Sequence, residues 1–207
     1  MKIDIVGEDD VTRAIIERLI EEYRPDLIID KVLPARGGHI KPLAVKYNLV
    51  NSPIMLLTDL DTYDCPPSLI HDWFGPSILN PKYLFRIAYG EGESWLMADR
   101  VGFSAWIHSD IHLIPPTTII DKRRNIFEIV FPYKPSLYLM REIASASRNI
   151  EMRTNFSPRT GAKRGPLYNS TLLPFIRSTW NIVNAARNST SLSKTIQRLL
   201  EFSPDNP

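Results

Sequence analysis

The sequence predicts an α/β fold: a parallel β-sheet flanked by helices, with an α-helical C-terminal extension. Three observations carry this. Stretches at residues 2–6, 26–32, 53–57 and 82–89 read as strands: the first alternates and is β-branched, and the third is an apolar run too short for a helix. Stretches between them place apolar residues at helical spacing, as Val11, Ala14, Ile15, Leu19 and Ile20 do. Strand and helix therefore alternate, and alternation needs crossovers that leave neighbouring strands parallel. Residues 1–100 are expected to form this domain, and residues 101–207 a mixed, mainly helical, basic extension packed on it.

Lys2-Ile3-Asp4-Ile5-Val6 alternates and is the first strand. Gly7-Glu8-Asp9-Asp10 ends it, and Asp9 and Asp10 suit the start of a helix from Val11 to Tyr23, whose dipole favours acids there. After Pro25 comes a second strand, then the loop Pro34-Ala35-Arg36-Gly37-Gly38-His39-Ile40-Lys41. Its glycines would permit close approach of a phosphate, which makes Arg36 and Lys41 candidate nucleic-acid contacts, although the Gly-Lys-Ser/Thr ending of a P-loop is missing. Lys41 to Asn48 looks helical and leads into Pro53-Ile54-Met55-Leu56-Leu57, whose large side chains leave no solvated face and mark a buried strand. Pro66 to Phe74 reads as a helix, residues 82–89 as a strand, and Glu91 and Glu93 stand where that strand gives way to another helix.

From Phe103 to Pro135 the pattern is irregular, with one strand at Thr117–Ile120 and a solvated turn at Lys122-Arg123-Arg124. A helix is expected from Pro135 to Arg148. The Gly/Pro-rich stretch Ser157–Asn169 is a loop carrying Arg159, Lys163 and Arg164. Two helices, Ser170–Asn188 and Ser191–Phe202, finish the chain, with Pro174 tolerable only within the first turn of the former.

Composition narrows the class. With 43% hydrophobic and 23% charged residues the chain resembles an ordinary globular protein. No apolar run approaches the roughly 20 residues of a membrane helix, and the N-terminus lacks a signal-peptide core, so no membrane partner and a cytoplasmic location are expected. The single cysteine, Cys65, rules out an internal disulfide framework and a Cys-rich zinc site. Residues 152–207 hold eight Lys/Arg against Glu201 and Asp205, so the rest of the chain is net acidic. Basic side chains bind phosphate and carboxylates hold cations, so this asymmetry suits a metal site presented to a nucleic acid, and equally a basic face that docks on an acidic protein.

The chemistry centres on Leu57-Thr58-Asp59-Leu60-Asp61. In an open α/β sheet, ligands bind at the carboxyl ends of strands, and Asp59 and Asp61 project there two residues apart. Glu8 stands at the end of the first strand, on the same sheet edge. An all-oxygen set favours Mg²⁺ or Mn²⁺ over zinc, and such ions serve phosphodiester hydrolysis or transfer. Lys163 and Arg164 are candidates to neutralise transition-state charge, and Glu93 is a further acid at a strand end. The same stretches also read as a solvated Asp-rich turn and as helix-opening acids. His39, His71, His108 and His112 fall in no ligand spacing.

These residues resemble a family. Val6-Gly7-Glu8-Asp9-Asp10-Val11-Thr12, Leu57-Thr58-Asp59-Leu60-Asp61 and Glu93-Ser94-Trp95-Leu96-Met97-Ala98-Asp99 look like the Toprim domain of topoisomerases, primases and OLD-type nucleases. More narrowly they resemble Toprim-like proteins encoded beside ATPases, some in antiphage loci. The resemblance covers roughly residues 1–100. It implies a Toprim-like sheet, a metal site of Glu8, Asp59 and Asp61 with Glu8 also a general base, and a Mg²⁺-dependent nuclease acting on DNA or RNA with a companion ATPase. OLD-type nucleases often carry a second acid four residues after the first; here Thr12 stands there, leaving Asp64, Glu91 or Glu93 to complete a two-metal set. A second reading is a non-catalytic binding subunit of an ATPase or nucleic-acid complex. The apolar faces of the last two helices suit the core or a homo-oligomer interface.

Overall fold

β1 (Lys2–Gly7), α1 (Asp10–Tyr23), β2 (Ile28–Val32), α2 (Ile40–Tyr47), β3 (Ile54–Asp59), α3 (Pro66–Phe74) and β4 (Tyr83–Ala88) follow one another in strict alternation. The computed structural model describes residues 1–35 and 40–203. The four strands form one parallel sheet in the order β2-β1-β3-β4. The described chain divides into two compact units, Met1–Tyr89 with Lys194–Pro207, and Gly90–Ser193.

In the first unit, side chains alternate across the sheet. Val6, Ile54, Leu56, Tyr83, Phe85 and Ile87 join Ile40 and Ala44 of α2 and Leu69 and Phe74 of α3 in one core. Phe74 meets Phe85 edge to face at 5.0 Å. Each such aliphatic or aromatic side chain contributes about 1.5–3 kcal/mol when fully buried. Ile3, Ile5, Met55 and Leu57 line the opposite face, where α1 packs on β1 and β3 and buries Val11, Ala14, Ile15 and Leu19.

The final helix, α10 (Thr190–Glu201), buries Leu192, Thr195, Ile196 and Leu199, so its apolar stripe is taken up within the chain's own core. Arg24 closes its C-terminal end: Nη1 donates to the carbonyls of Leu199, 3.0 Å, and Phe202, 2.8 Å, while the rest of the guanidinium holds Asp26. A cation on unsatisfied terminal carbonyls is favoured by the helix dipole.

One side chain of this unit runs against stability. Arg86 of β4 is largely buried, and among the described residues its one hydrogen bond runs from Nε to Thr195 Oγ1 at 3.2 Å, with no carboxylate beside it. Burial, aided by the nearby charge of Arg198, pushes its pKa down to about 10. A base whose pKa is depressed by folding binds its proton more tightly when unfolded, so the charged form costs the fold on the order of 3 kcal/mol below that pH and the cost fades as pH rises through 10. Arg86→Met is therefore expected to match or exceed wild-type stability at neutral pH, with the difference narrowing above pH 10, as read by urea unfolding across that range. A large loss at neutral pH would show that the guanidinium is compensated.

The second unit is mainly helical: α4 (Gly92–Ala98), α5 (Arg100–Ile107), α6 (Pro135–Tyr138), α7 (Ile150–Phe156), α8 (Tyr168–Pro174) and α9 (Ile182–Ala186), with a hairpin of β5 (Thr117–Asp121) and β6 (Ile126–Ile129). Its core includes Phe103, Trp106, Phe156 and Phe175, with Trp106 and Phe175 centred 4.6 Å apart. Trp95 is fully buried and donates Nε1–H to Ser191, 2.8 Å, as a core residue does.

Two expectations are corrected here. The helix expected over Ser170–Asn188 is broken: Pro174 ends α8, residues 175–179 continue with π-type bonding, and Trp180 leaves the helical region before Asn181 caps α9. Proline supplies no N–H, so the ladder cannot continue unaltered past it. The helix expected from Pro135 likewise turns π-type over Leu139–Ala144 and stops before Arg148. The strand at Thr117 is present, paired with β6, which the expected pattern lacks.

Candidate functional site

Parallel register builds the carboxyl edge of the sheet. Gly7 of β1 pairs with Leu57 of β3, so Glu8 leaves β1 level with the last residues of β3, Thr58 and Asp59, one strand away. Asp59 closes β3 opposite Ala88 of β4, and Leu60 N–H donates to the Ala88 carbonyl at 2.9 Å, carrying the register one residue further. The chain then turns at Asp61, whose φ of 53° lies in the left-handed region that aspartate tolerates better than most residues. Thr58 and Leu60 are buried; Asp59 and Glu8 are half-buried and Asp61 is exposed. Thr58 and Leu60 thus anchor the edge on either side of the half-buried Asp59.

Gly7 is required by close packing. A Cβ there would lie 2.6 Å from the Arg13 backbone nitrogen, because the first turn of α1 crosses directly over the strand end. That turn is fixed by a reciprocal cap: Thr12 N–H donates to Asp9 Oδ1 and Asp9 N–H to Thr12 Oγ1, each at 3.0 Å. Thr12 is therefore an element of helix capping, and Asp9 is the helix-opening acid that the sequence suggests. Glu8, immediately before the cap, is placed by both.

Lys41 lies in α2 and pairs with Asp72 at 2.7 Å, and Tyr63 also donates to that carboxylate. Lys41 first and Tyr63 second hold the Asp72 carboxyl below its usual range. Arg36, the other candidate of that segment, lies outside the described residues.

The remaining candidates belong to the second unit. Glu93 is 3% exposed, in the first turn of α4. Tyr168 donates its hydroxyl to Glu93 Oε1 at 2.7 Å, and Arg164 Nη2 stands 3.8 Å from the same oxygen and over the Tyr168 ring, 4.9 Å from its centre. Burial first, then the Glu93 charge, pushes the Tyr168 phenol well above the ordinary tyrosine range, so it stays a neutral donor. Glu91, also buried, accepts Ser136 N–H at 2.7 Å with Lys134 at 3.6 Å. Lys163 and Arg159 are exposed in the loop before Gly165. Gly165 presses that loop onto the end of α7: a Cβ there would come within 2.3 Å of the Asn155 carbonyl oxygen.

Asp99 is a residue whose role the sequence left open. Fully buried, it accepts Gly102 N–H at 3.3 Å and Asn181 N–H at 3.0 Å, capping α5 and fixing the entry to α9. Nothing local in the sequence marks Tyr168 or Glu128; Glu128 is buried and accepts Ser189 Oγ–H at 2.6 Å and Ser191 N–H at 2.5 Å. Their partners lie 75 and about 60 residues away, where no local spacing can reveal them.

The oxygen-only donors Glu8, Asp59 and Asp61 suit a hard cation in type and in strand-end placement. Among the described residues, no three His, Cys, Asp or Glu side chains are drawn together tightly enough to hold a metal ion as they stand. No family model, no curated protein and no solved structure matches the chain.

Proposed function

We propose that the chain is a divalent-metal-dependent nuclease of Toprim type, hydrolysing phosphodiester bonds of DNA or RNA as the effector of an ATPase-coupled antiphage system. The observation that supports it is the parallel register that brings Glu8 and Asp59 to neighbouring strand ends, with Asp61 on the turn that follows. Glu8, Asp59 and Asp61 would hold Mg²⁺ or Mn²⁺, which when bound supplies charge neutralisation at the scissile phosphate. Glu8 takes the proton of the attacking water as general base. Arg36 and Lys41 of the first unit, and Arg159, Lys163 and Arg164 of the second, contact phosphates of the nucleic acid.

A second reading is a non-catalytic binding subunit of an ATPase or nucleic-acid complex. Calorimetric titration with Mg²⁺ and Mn²⁺ separates the two. The nuclease reading expects saturable binding by the wild type and none by the Asp59→Ala/Asp61→Ala double variant, with cleavage of plasmid, single-stranded DNA or tRNA in the same buffer. Absence of metal binding by the wild type supports the binding subunit.

A further inference from the structure

We propose that the β5–β6 hairpin is a DNA-binding arm that enters the major groove of a B-form duplex. Thr117, Thr118, Ile119 and Ile120 are all exposed, Ile119 at 57% and Ile120 at 41%. Successive residues of a strand face opposite ways, so neither face of β5 is covered. Exposed β-branched residues on an unpaired strand edge are a liability that proteins ordinarily mask. Their retention on both faces marks a surface that meets a partner.

Charge identifies the partner. Lys122, Arg123 and Arg124 stand consecutively at the turn, all exposed. The turn is fixed from within: Asp121 Oδ1 accepts Arg123 N–H at 2.9 Å and Arg124 N–H at 3.1 Å, and Asn125 takes a left-handed φ of 50°. With its backbone so held, the tip displays three cations against one acid, and the Asp121–Arg124 ion pair is long, 3.9 Å. The root is pinned as firmly. Thr117 Oγ1 donates to Asn188 at 2.7 Å, Phe127 N–H donates to Thr190 at 3.0 Å, and buried Glu128 receives Ser189 and Ser191.

A ribbon anchored at its root, bare on both faces of β5 and cationic at its tip matches the major groove of B-DNA, about 12 Å wide, which admits two strands. Lys122, Arg123 and Arg124 contact phosphates, and Ile119 and Ile120 face the apolar thymine methyls or sugars. The deep, narrow major groove of A-form RNA excludes such a ribbon, so the substrate class is duplex DNA. The arm deepens the nuclease reading but binds independently of cleavage.

Fluorescence anisotropy with a short DNA duplex in EDTA tests it, comparing wild type with K122Q/R123Q/R124Q and with I119S/I120S, all checked for native melting. The charge variant is expected to bind about 10- to 100-fold more weakly, with a salt slope shallower by about 2–3, the value for three phosphate contacts. Arg123→Gln alone is expected to lower the slope by about 1. I119S/I120S weakens binding with the slope unchanged. The proposal is overturned by wild-type slope and affinity in both cation variants, by equal competition from duplex RNA, or by wild type that binds anionic vesicles and not DNA. Wild type that binds the duplex in EDTA as expected but cleaves no nucleic acid with Mg²⁺ or Mn²⁺ counts against the nuclease reading and leaves the arm standing.

Discussion

Asp59→Asn and Asp61→Asn are each expected to lower metal-dependent nucleic-acid cleavage by about 1,000-fold or more, with unfolding in metal-free buffer unchanged within about 1 kcal/mol. Each substitution keeps side-chain volume and removes one negative charge from the carboxyl edge of the sheet. A carboxylate that holds a cation supplies several kcal/mol of transition-state stabilisation, which is the origin of the magnitude. β3 is anchored by Ile54, Met55, Leu56 and Leu57, all fully buried, and Asp61 is exposed on a turn. A second readout separates metal binding from catalysis. A cation that binds only the folded state at a hundredfold excess over its Kd stabilises by about 2.7 kcal/mol, so Mg²⁺ raises the wild-type melting temperature and not that of the variants. Glu8→Gln distinguishes its roles: retained metal stabilisation with lost cleavage assigns the general base, and loss of both assigns a ligand. Full cleavage by both aspartate variants would sink the proposal.

The sheet was legible because its strands are short, apolar and bounded by turn residues. Strand ends fall within two residues of the expected ones, and the acids at residues 8 and 59 stand where the alternation puts them. The remaining features depend on distant partners or on a local break. Pro174 falls seven residues into α8, where the spacing of Leu172, Leu173, Ile176 and Trp180 still reads as continuous helix. The strand β6 is four residues long and carries a glutamate inward, which hides the apolar run of a strand; Ser189 and Ser191, distant in sequence, donate to that carboxylate. Lys41 lies in the helix expected over Lys41–Asn48, and its ion pair with Asp72 joins residues 31 apart, which no local spacing reveals. Thr12 looked like a missing acid, and its position is taken by a cap.

Glu93 separates structure from chemistry. Glu93→Ala is expected to cost about 2–4 kcal/mol, because it removes a buried carboxylate and leaves the buried Tyr168 hydroxyl without its acceptor. Glu93→Gln keeps an acceptor for Tyr168 and removes the charge facing Arg164, so its cost falls to about 1–3 kcal/mol, and Tyr168→Phe to about 1 kcal/mol. The pair touches at 2.7 Å, so urea unfolding of both singles and the double is expected to give a coupling above about 0.5 kcal/mol; additive costs would show that the bond contributes nothing. Alkaline unfolding adds an independent sign. The phenol is pushed up in the folded state, so above the ordinary tyrosine range the folded protein holds a proton that the unfolded chain has released. Stability therefore falls with rising pH in the wild type by more than in Tyr168→Phe. If Glu93→Gln folds and still cleaves while Glu93→Ala unfolds, Glu93 is a structural acid that positions Tyr168 and Arg164. If Glu93→Gln folds with wild-type stability and loses cleavage, the carboxylate acts in the reaction itself.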